Sequence, residues 1–327
     1  MKKMIAMIVL GMMCVGLFAG CATSAPSGTT GAPTTAPGAP TTAPGAPTTA
    51  PVKVTYPLSM KDAFDKNVDV KAEPARVVSL APTTTEIVFA LGAGAKLVGR
   101  TDYCDFPAEA AKVTSVGTVL DPNVETIVSM KPDVIFASSM TKADIITKLR
   151  QLKFAVYMED DLKGIAGAYQ SITDLGQILN KQEAADRVLL SMKNHLLYIK
   201  GKMQKVKVRP SVYYVVDFGQ NGDWTPGKGT FIDEAINLAG GTNSGASAVE
   251  WKFSLEQLVK NNPDIILCQK NPDLKGDFVK ADKYKDLPAV KAGKVYSIDN
   301  NKLDRAGPRI IDGIDELSRL IQPTLWN

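Results

Sequence analysis

From Lys53 onward, short apolar runs alternate with segments whose apolar residues recur every three or four positions. The runs read as buried strands and the periodic segments as amphipathic helices. Lys53–Val70 predicts a short β-hairpin. Strands are predicted over Arg76–Leu80, Leu97–Arg100, Val134–Ala137 and Ala155–Met158. Helices are predicted over Thr83–Leu91, Asn123–Met130 and Thr141–Leu152. Punctuation supports these bounds, with Ala81–Pro82 stopping a strand, Gly92 and Gly94 closing a helix, and Lys131–Pro132 closing another. The order then recurs. Strands are predicted at Ser211–Asp217, Ile265–Cys268 and Val295–Ile298, and helices at Thr230–Leu238, Leu255–Lys260 and Pro308–Ile321. Strands alternating with helices imply parallel sheets covered on both faces, an α/β fold.

One internal match is sharper than the general pattern. Asn123-Val-Glu125-Thr-Ile-Val followed by Pro132-Asp133-Val-Ile parallels Ser254-Leu-Glu256-Gln-Leu-Val followed by Pro263-Asp264-Ile-Ile. A good N-cap residue precedes a Glu by two positions in both, and Pro-Asp sits at one offset before an apolar strand. Two lobes of common architecture are expected, each carrying a Glu at the start of an equivalent helix. Between them, Ala185, Val188, Met192, Leu196, Ile199, Met203 and Val206 form one apolar stripe over Lys181–Lys205. At 1.5 Å per residue such a helix is a rod of about 38 Å, long enough to bridge two lobes. The expected division is an N-terminal lobe over 53–178, an interlobe helix over 179–206 and a C-terminal lobe over 207–327, with a ligand cleft between the lobes.

The front of the chain is of another kind. Met1-Lys2-Lys3 and the uncharged run Met4–Ala19 suit a signal peptide over residues 1–20. Leu17-Phe-Ala-Gly-Cys21 resembles the lipobox of bacterial lipoproteins, in which the cysteine is lipidated and becomes the mature N-terminus. Residues 22–52 carry no charge, and Gly-Ala-Pro-Thr-Thr-Ala-Pro occurs three times from Gly31 to Pro51. Proline at that density favours an extended tether over 21–52. The expected location is extracytoplasmic, with the domain lipid-anchored to the cell membrane. Net charge is only +4, which gives no reason to expect nucleic acid. A single His and four scattered Cys exclude the usual zinc spacings. Cys104 and Cys268 fall in different lobes and are expected as buried free thiols, and His195 as a solvated flank of the bridging helix.

Arg76-Val-Val-Ser-Leu-Ala-Pro-Thr-Thr-Thr-Glu-Ile-Val-Phe-Ala-Leu-Gly with Val98-Gly-Arg-Thr-Asp-Tyr-Cys-Asp-Phe-Pro107, and Ala289-Val-Lys-Ala-Gly-Lys-Val-Tyr296 with Arg305-Ala-Gly-Pro-Arg-Ile310, resemble the class III substrate-binding proteins of ABC importers. Within them the chain is most similar to the cobalamin-binding subgroup. The resemblance spans residues 55–325. It implies two Rossmann-like lobes joined by one rigid helix, no catalytic activity and no cofactor beyond the ligand itself. It also implies a monomer that hands cobalamin or another corrinoid to a permease dimer with its ATPase subunits. A ferric siderophore or haem is the alternative ligand. Glu125 and Glu256 match the carboxylates that dock on permease arginines. Tyr103 and Trp224 match positions where aromatics pack on cobalamin, Trp251 sits one residue off such a position, and Val119 stands where the family can carry a Trp. Arg305 matches an arginine that meets the ligand's polar rim, with Asp304 as an orienting partner.

Other chemistries fit less well. Gly222-Asp-Trp-Thr-Pro-Gly-Lys228-Gly229-Thr230 approaches a phosphate loop, but Gly229 follows the Lys where a Mg²⁺-binding hydroxyl is needed. It is expected to be a tight turn into the next helix. No Gly-x-Ser-x-Gly elbow occurs, and the one His lies on the bridging helix, so a hydrolase is not expected.

Overall fold

The computed structural model describes residues 53–160, 163–220 and 222–327; the expected signal peptide, Cys21 and the tether lie outside the described residues. Strands β1 (Leu58–Lys61) and β2 (Asn67–Val70) pair antiparallel as the expected hairpin. There follow β3 (Val77–Ser79), α1 (Pro82–Ala90), β4 (Leu97–Arg100), α2 (Val124–Ser129), β5 (Val134–Ser138), α3 (Ala143–Gln151) and β6 (Ala155–Glu159). Their strands form a parallel sheet of order β4-β3-β5-β6. All of β5 is buried, as a central strand covered on both faces requires.

Two helices come next, α4 (Gly164–Ile178) and α5 (Gln182–Met203). The second is the helix that the stripe predicts. Its 22 residues span about 33 Å, with Ala185, Leu189, Met192, Leu196 and Ile199 buried. Val188, placed on the stripe by spacing, is half-buried, and Leu189 takes the inner position. Helix α4 is not among the predicted elements. Ile165, Ala168, Ile172, Leu175 and Ile178 lie buried at helical spacing, but Gly164, Gly167 and Gly176 mask the pattern. Gly176 serves a close approach: a Cβ there would lie 2.7 Å from the Ala185 Cβ on α5.

The second lobe contains β7 (Ser211–Val215), β8 (Asp223–Trp224), α6 (Phe231–Leu238), β9 (Thr242–Asn243), β10 (Lys252–Phe253), α7 (Leu255–Asn261) and β11 (Ile265–Gln269). It continues through α8 (Lys275–Phe278), α9 (Pro288–Lys291), β12 (Val295–Ile298), α10 (Asn300–Leu303) and α11 (Ile310–Ile321). Its parallel sheet runs β9-β7-β11-β12, which repeats β4-β3-β5-β6 strand for strand. The repeated Pro-Asp now has a physical role. Asp133 Oδ2 accepts from the backbone N–H groups of Ala75 and Arg76 at 2.8 Å each, and Asp264 Oδ2 accepts from the Ser211 N–H at 2.8 Å. Each carboxylate thereby pins the entry to its lobe's first strand. The hydrogen bonds from Ser211 hold the Asp264 carboxyl below its ordinary value.

One apolar cluster runs through both lobes, from Phe136 and Ile172 through Leu196 to Ile236 and Ile314. Helix α5 packs on α4, α6 and α11, so the rod is built into this common core. Residues 50–327 form one compact unit. The glycines of the phosphate-like loop feed α6: the Thr230 hydroxyl caps it by accepting from the Asp233 N–H at 3.2 Å, and Gly229 N–H donates to Asp233 Oδ2 at 3.0 Å. Cys104 and Cys268 are buried free thiols. His195 is partly exposed on the flank of α5, with Nδ1 3.4 Å from Asp312 Oδ1 on α11.

Candidate functional site

The repeated motif places its two carboxylates alike. Asn123 caps α2 by accepting from the Thr126 N–H, and Ser254 caps α7 by accepting from the Gln257 N–H. Glu125 and Glu256 are each the second residue of their helix, and both are exposed. A carboxylate in a first turn complements the helix dipole by ~0.3–1 kcal/mol, but that does not require the same residue twice. One turn further, Val128 and Val259 are also exposed in both helices. Glu125 lines an open depression of about 470 Å³ with Asp121, Asn123, Asp144 and Lys148, so three carboxylates gather there.

The aromatics form two groups. Tyr103 projects from the loop after β4 and is 65% exposed. That loop is held by Arg100, whose guanidinium donates to the carbonyls of Thr101, Asp102, Ala111 and Val113 at 2.9–3.1 Å. Trp224 and Trp251 are brought together in the other lobe. Trp224 lies on β8 and pairs with Lys252 on β10, and the Thr225 N–H donates to the Trp251 carbonyl at 2.9 Å. Both rings are half-buried. Val249 and Lys252 exchange backbone hydrogen bonds of 3.3 and 2.9 Å around a two-residue turn, in which Glu250 and Trp251 have φ of +49° and +68°. Such a turn favours Asn-Gly. A bulky residue there costs ~1–2 kcal/mol, so Trp251 is held against local preference, half-buried at the margin of the common core. Val119 is buried and adds nothing to an open wall.

Arg305 is where the lobes meet. Its guanidinium is almost fully buried and donates to Glu86 Oε1 on α1 at 2.9 Å, to Asp105 Oδ1 at 2.7 Å and to the Tyr103 carbonyl at 3.3 Å. Arg309 donates to the same Glu86 at 2.8 and 2.5 Å, and its guanidinium stacks 3.8 Å from the Phe106 ring centroid. Burial lowers the Arg305 pKa, but the hydrogen bonds to Asp105 and Glu86 outweigh it, and the net shift is upward. Glu86 and Arg309 are site residues that the sequence pattern does not single out. Their flags are a Glu inside an apolar helix and a second Arg four residues after the first. The orienting role expected of Asp304 belongs instead to Glu86, Asp105 and Asn301. Asp304, just past the end of α10, accepts from Asn300 Nδ2 at 2.9 Å and Gln269 Nε2 at 3.4 Å, whereas Arg305 donates to Asn301 Oδ1 at 3.2 Å.

Burial pushes the Asp304 carboxyl up to about 6. The folded state therefore holds this proton more tightly than the unfolded chain, and stability falls as pH rises from about 4 to about 6. Asp304→Asn should match the parent near pH 4 and be the more stable of the two at pH 7, by less than the full shift would give because the residue is open to screening by solvent. Urea unfolding at the two pH values checks this. A gain of equal size at both would show that the carboxylate charge is not its source.

The profile of the periplasmic binding protein family matches residues 77–302. An uncharacterized ABC transporter substrate-binding lipoprotein of Bacillus subtilis, YvrC, is 34% identical over 82% of this chain and 86% of its own length. A cobalamin-binding protein of Halobacterium salinarum is 25% identical over 83% of this chain and 75% of its own. The apo form of the periplasmic haem-binding protein RhuT from Roseiflexus sp. RS-1 shares the fold. It has a TM-score of 0.70 at 23% identity, covering 76% of this chain and 98% of that one.

Proposed function

Because the chain belongs to the periplasmic binding protein family, a non-enzymatic component of ABC importers, we propose that it captures a corrinoid, cobalamin in the first place, between its lobes. On this reading Trp224 and Trp251 supply flat apolar contact and Tyr103 adds an exposed ring from a loop of the other lobe, while Arg305, buried against Glu86 and Asp105, holds the lobes together instead of meeting the ligand's rim as the resemblance implies. The observation that carries it is Trp251, held at positive φ beside Trp224 at a conformational cost. The likeness to a cobalamin-binding relative supports the same ligand class. Glu125 and Glu256 dock on the permease, and Cys21 carries the lipid that keeps the protein at the membrane.

A titration of residues 50–327 with cyanocobalamin tests the ligand. The expected result is one-to-one binding with a sub-micromolar Kd, at least about −8 kcal/mol. Trp224→Ala and Trp251→Ala should each weaken it by roughly tenfold or more, since a stacked aromatic contributes ~0.5–1.5 kcal/mol beyond its buried area. Tight binding of haemin or a ferric siderophore in its place would move the ligand and keep the importer role. No binding of any of these would remove the substrate assignment.

A further inference from the structure

We propose that the outward face of α5 and the segment after it form a surface that rests on an anionic lipid bilayer. Residues 187–209 hold seven Lys and Arg and no Asp or Glu. The only charges in residues 1–52 are Lys2 and Lys3, so the folded unit keeps 36 of the 38 cations against 34 acids. Removing the seven leaves 29 cations against those 34 acids, so the rest of the unit is net negative. The positive charge of this protein is concentrated on one helix and its exit.

The placement of these residues matters as much as their number. With Ala185, Leu189, Met192, Leu196 and Ile199 turned to the core, the opposite face carries Leu190 and Leu197 two turns apart. They are 60% and 65% exposed. At 100° per residue, Lys193 and Lys200 flank this ridge on one side and Arg187 and Tyr198 on the other, and the acids of α5, Glu183 and Asp186, are confined to its first turns. Lys207 and the exposed Val208 extend it past the helix end. Among the described residues Lys193, Lys200, Lys205 and Lys207 make no ion pair, and Arg187 has only a 3.9 Å contact with Glu183. A leucine ridge flanked by Lys193 and Lys200 on one side and Arg187 on the other, with Lys205 and Lys207 beyond the helix end, matches the interfacial arrangement. The aliphatic groups enter the boundary between headgroups and acyl chains, and the ammonium groups reach back to lipid phosphate.

The chain also enters the folded unit at this face. Val54 N–H donates to Asn180 Oδ1 at 3.2 Å, and Lys53 lines one depression with Lys181, Gln182, Glu183 and Arg187 at the start of α5. An anchored chain therefore arrives beside the ridge, an argument that rests on the lipid-anchor reading of Cys21. No described helix is long and apolar enough to cross a membrane, so contact is at the surface.

Residues 50–327 without lipid isolate the face from the anchor. Sedimentation with phosphatidylglycerol–phosphatidylcholine vesicles should show binding that pure phosphatidylcholine vesicles lack and that high salt abolishes. Lys193→Ala with Lys200→Ala should weaken it on the order of 20-fold, about fivefold for each cation near an anionic surface. Leu190→Ser with Leu197→Ser should weaken it as well, with unchanged circular dichroism. Absence of binding to anionic vesicles, equal binding to neutral ones, or indifference to both variants would overturn the proposal. So would a dimer that the leucine variant dissolves without any vesicle binding, which would make the face a contact between copies. Cyanocobalamin titration and the mass of the Cys21-containing peptide report on the ligand and the anchor separately, so their failure is distinguishable from failure here.

Discussion

Replacing Glu86 by Ala should lower the stability of the folded unit by about 3–5 kcal/mol, the range for removing one partner from a buried ion pair. The reason lies in what it leaves behind. Glu86 has a side chain only 2% exposed, and it accepts from two guanidiniums that come from the other lobe. Arg309 would keep the Phe106 ring but no counter-charge, and Arg305 would keep Asp105, which is more than half exposed. In a chain of this size each kcal/mol moves the midpoint by about 2–4 °C, so the expected fall is roughly 6–20 °C. Unfolding should stay a single transition, since one apolar cluster spans both lobes. Asp105→Ala is the comparison. Its carboxylate is screened by solvent, and its loss should cost no more than about 1 kcal/mol. Differential scanning calorimetry of both variants decides the matter. If Glu86→Ala melted no lower than Asp105→Ala, the desolvation of the two arginines would already offset the pairing.

The contrast between Glu86 and the flanking elements shows what local pattern can and cannot convey. Strands such as β5 and β11 are legible because their burial on both faces forces continuous apolar runs. The capped starts of α2 and α7 are legible because Asn123 and Ser254 bond within their own first turn. Arg305 was readable as a functional arginine, but its partner Glu86 lies 219 residues away, and nothing near either residue encodes the other. Asp304 looked like the partner because it is adjacent in sequence. Both residues lie in the connection between α10 and α11, and Asn300, four residues earlier, claims the Asp304 carboxylate. The α4 stripe was present but interrupted by glycines, of which Gly176 packs against α5 and Gly164 against α6. Tryptophan at positions 224 and 251 could be picked out as candidates for a cleft. The turn that holds Trp251 at positive φ is closed by Val249 and Lys252 around Glu250-Trp251, a dipeptide with none of the residues that signal such a turn.

The double change Glu125→Ala with Glu256→Ala should abolish ligand uptake by cells and leave ligand affinity intact. The docking role is a proposal, and its physical support is duplication. Two helices, one per lobe, carry an exposed carboxylate at the same capped position and an exposed valine one turn later. A permease built from two like halves would meet such a pair with two like arginine sites, and losing one partner of a desolvated charge pair at an interface costs about 2–5 kcal/mol. Losing both should weaken docking at least a thousandfold, while either single change should leave partial uptake. Stability should hardly move, because each residue contributes only ~0.3–1 kcal/mol to its helix dipole. Val128→Asp with Val259→Asp should reduce uptake in the same way if the valines lie inside the footprint. The measurement is radiolabelled cobalamin uptake alongside a binding titration of each purified variant. Normal uptake by the double variant would refute the docking role. Lost uptake together with lost ligand binding would place the two carboxylates in the ligand site instead.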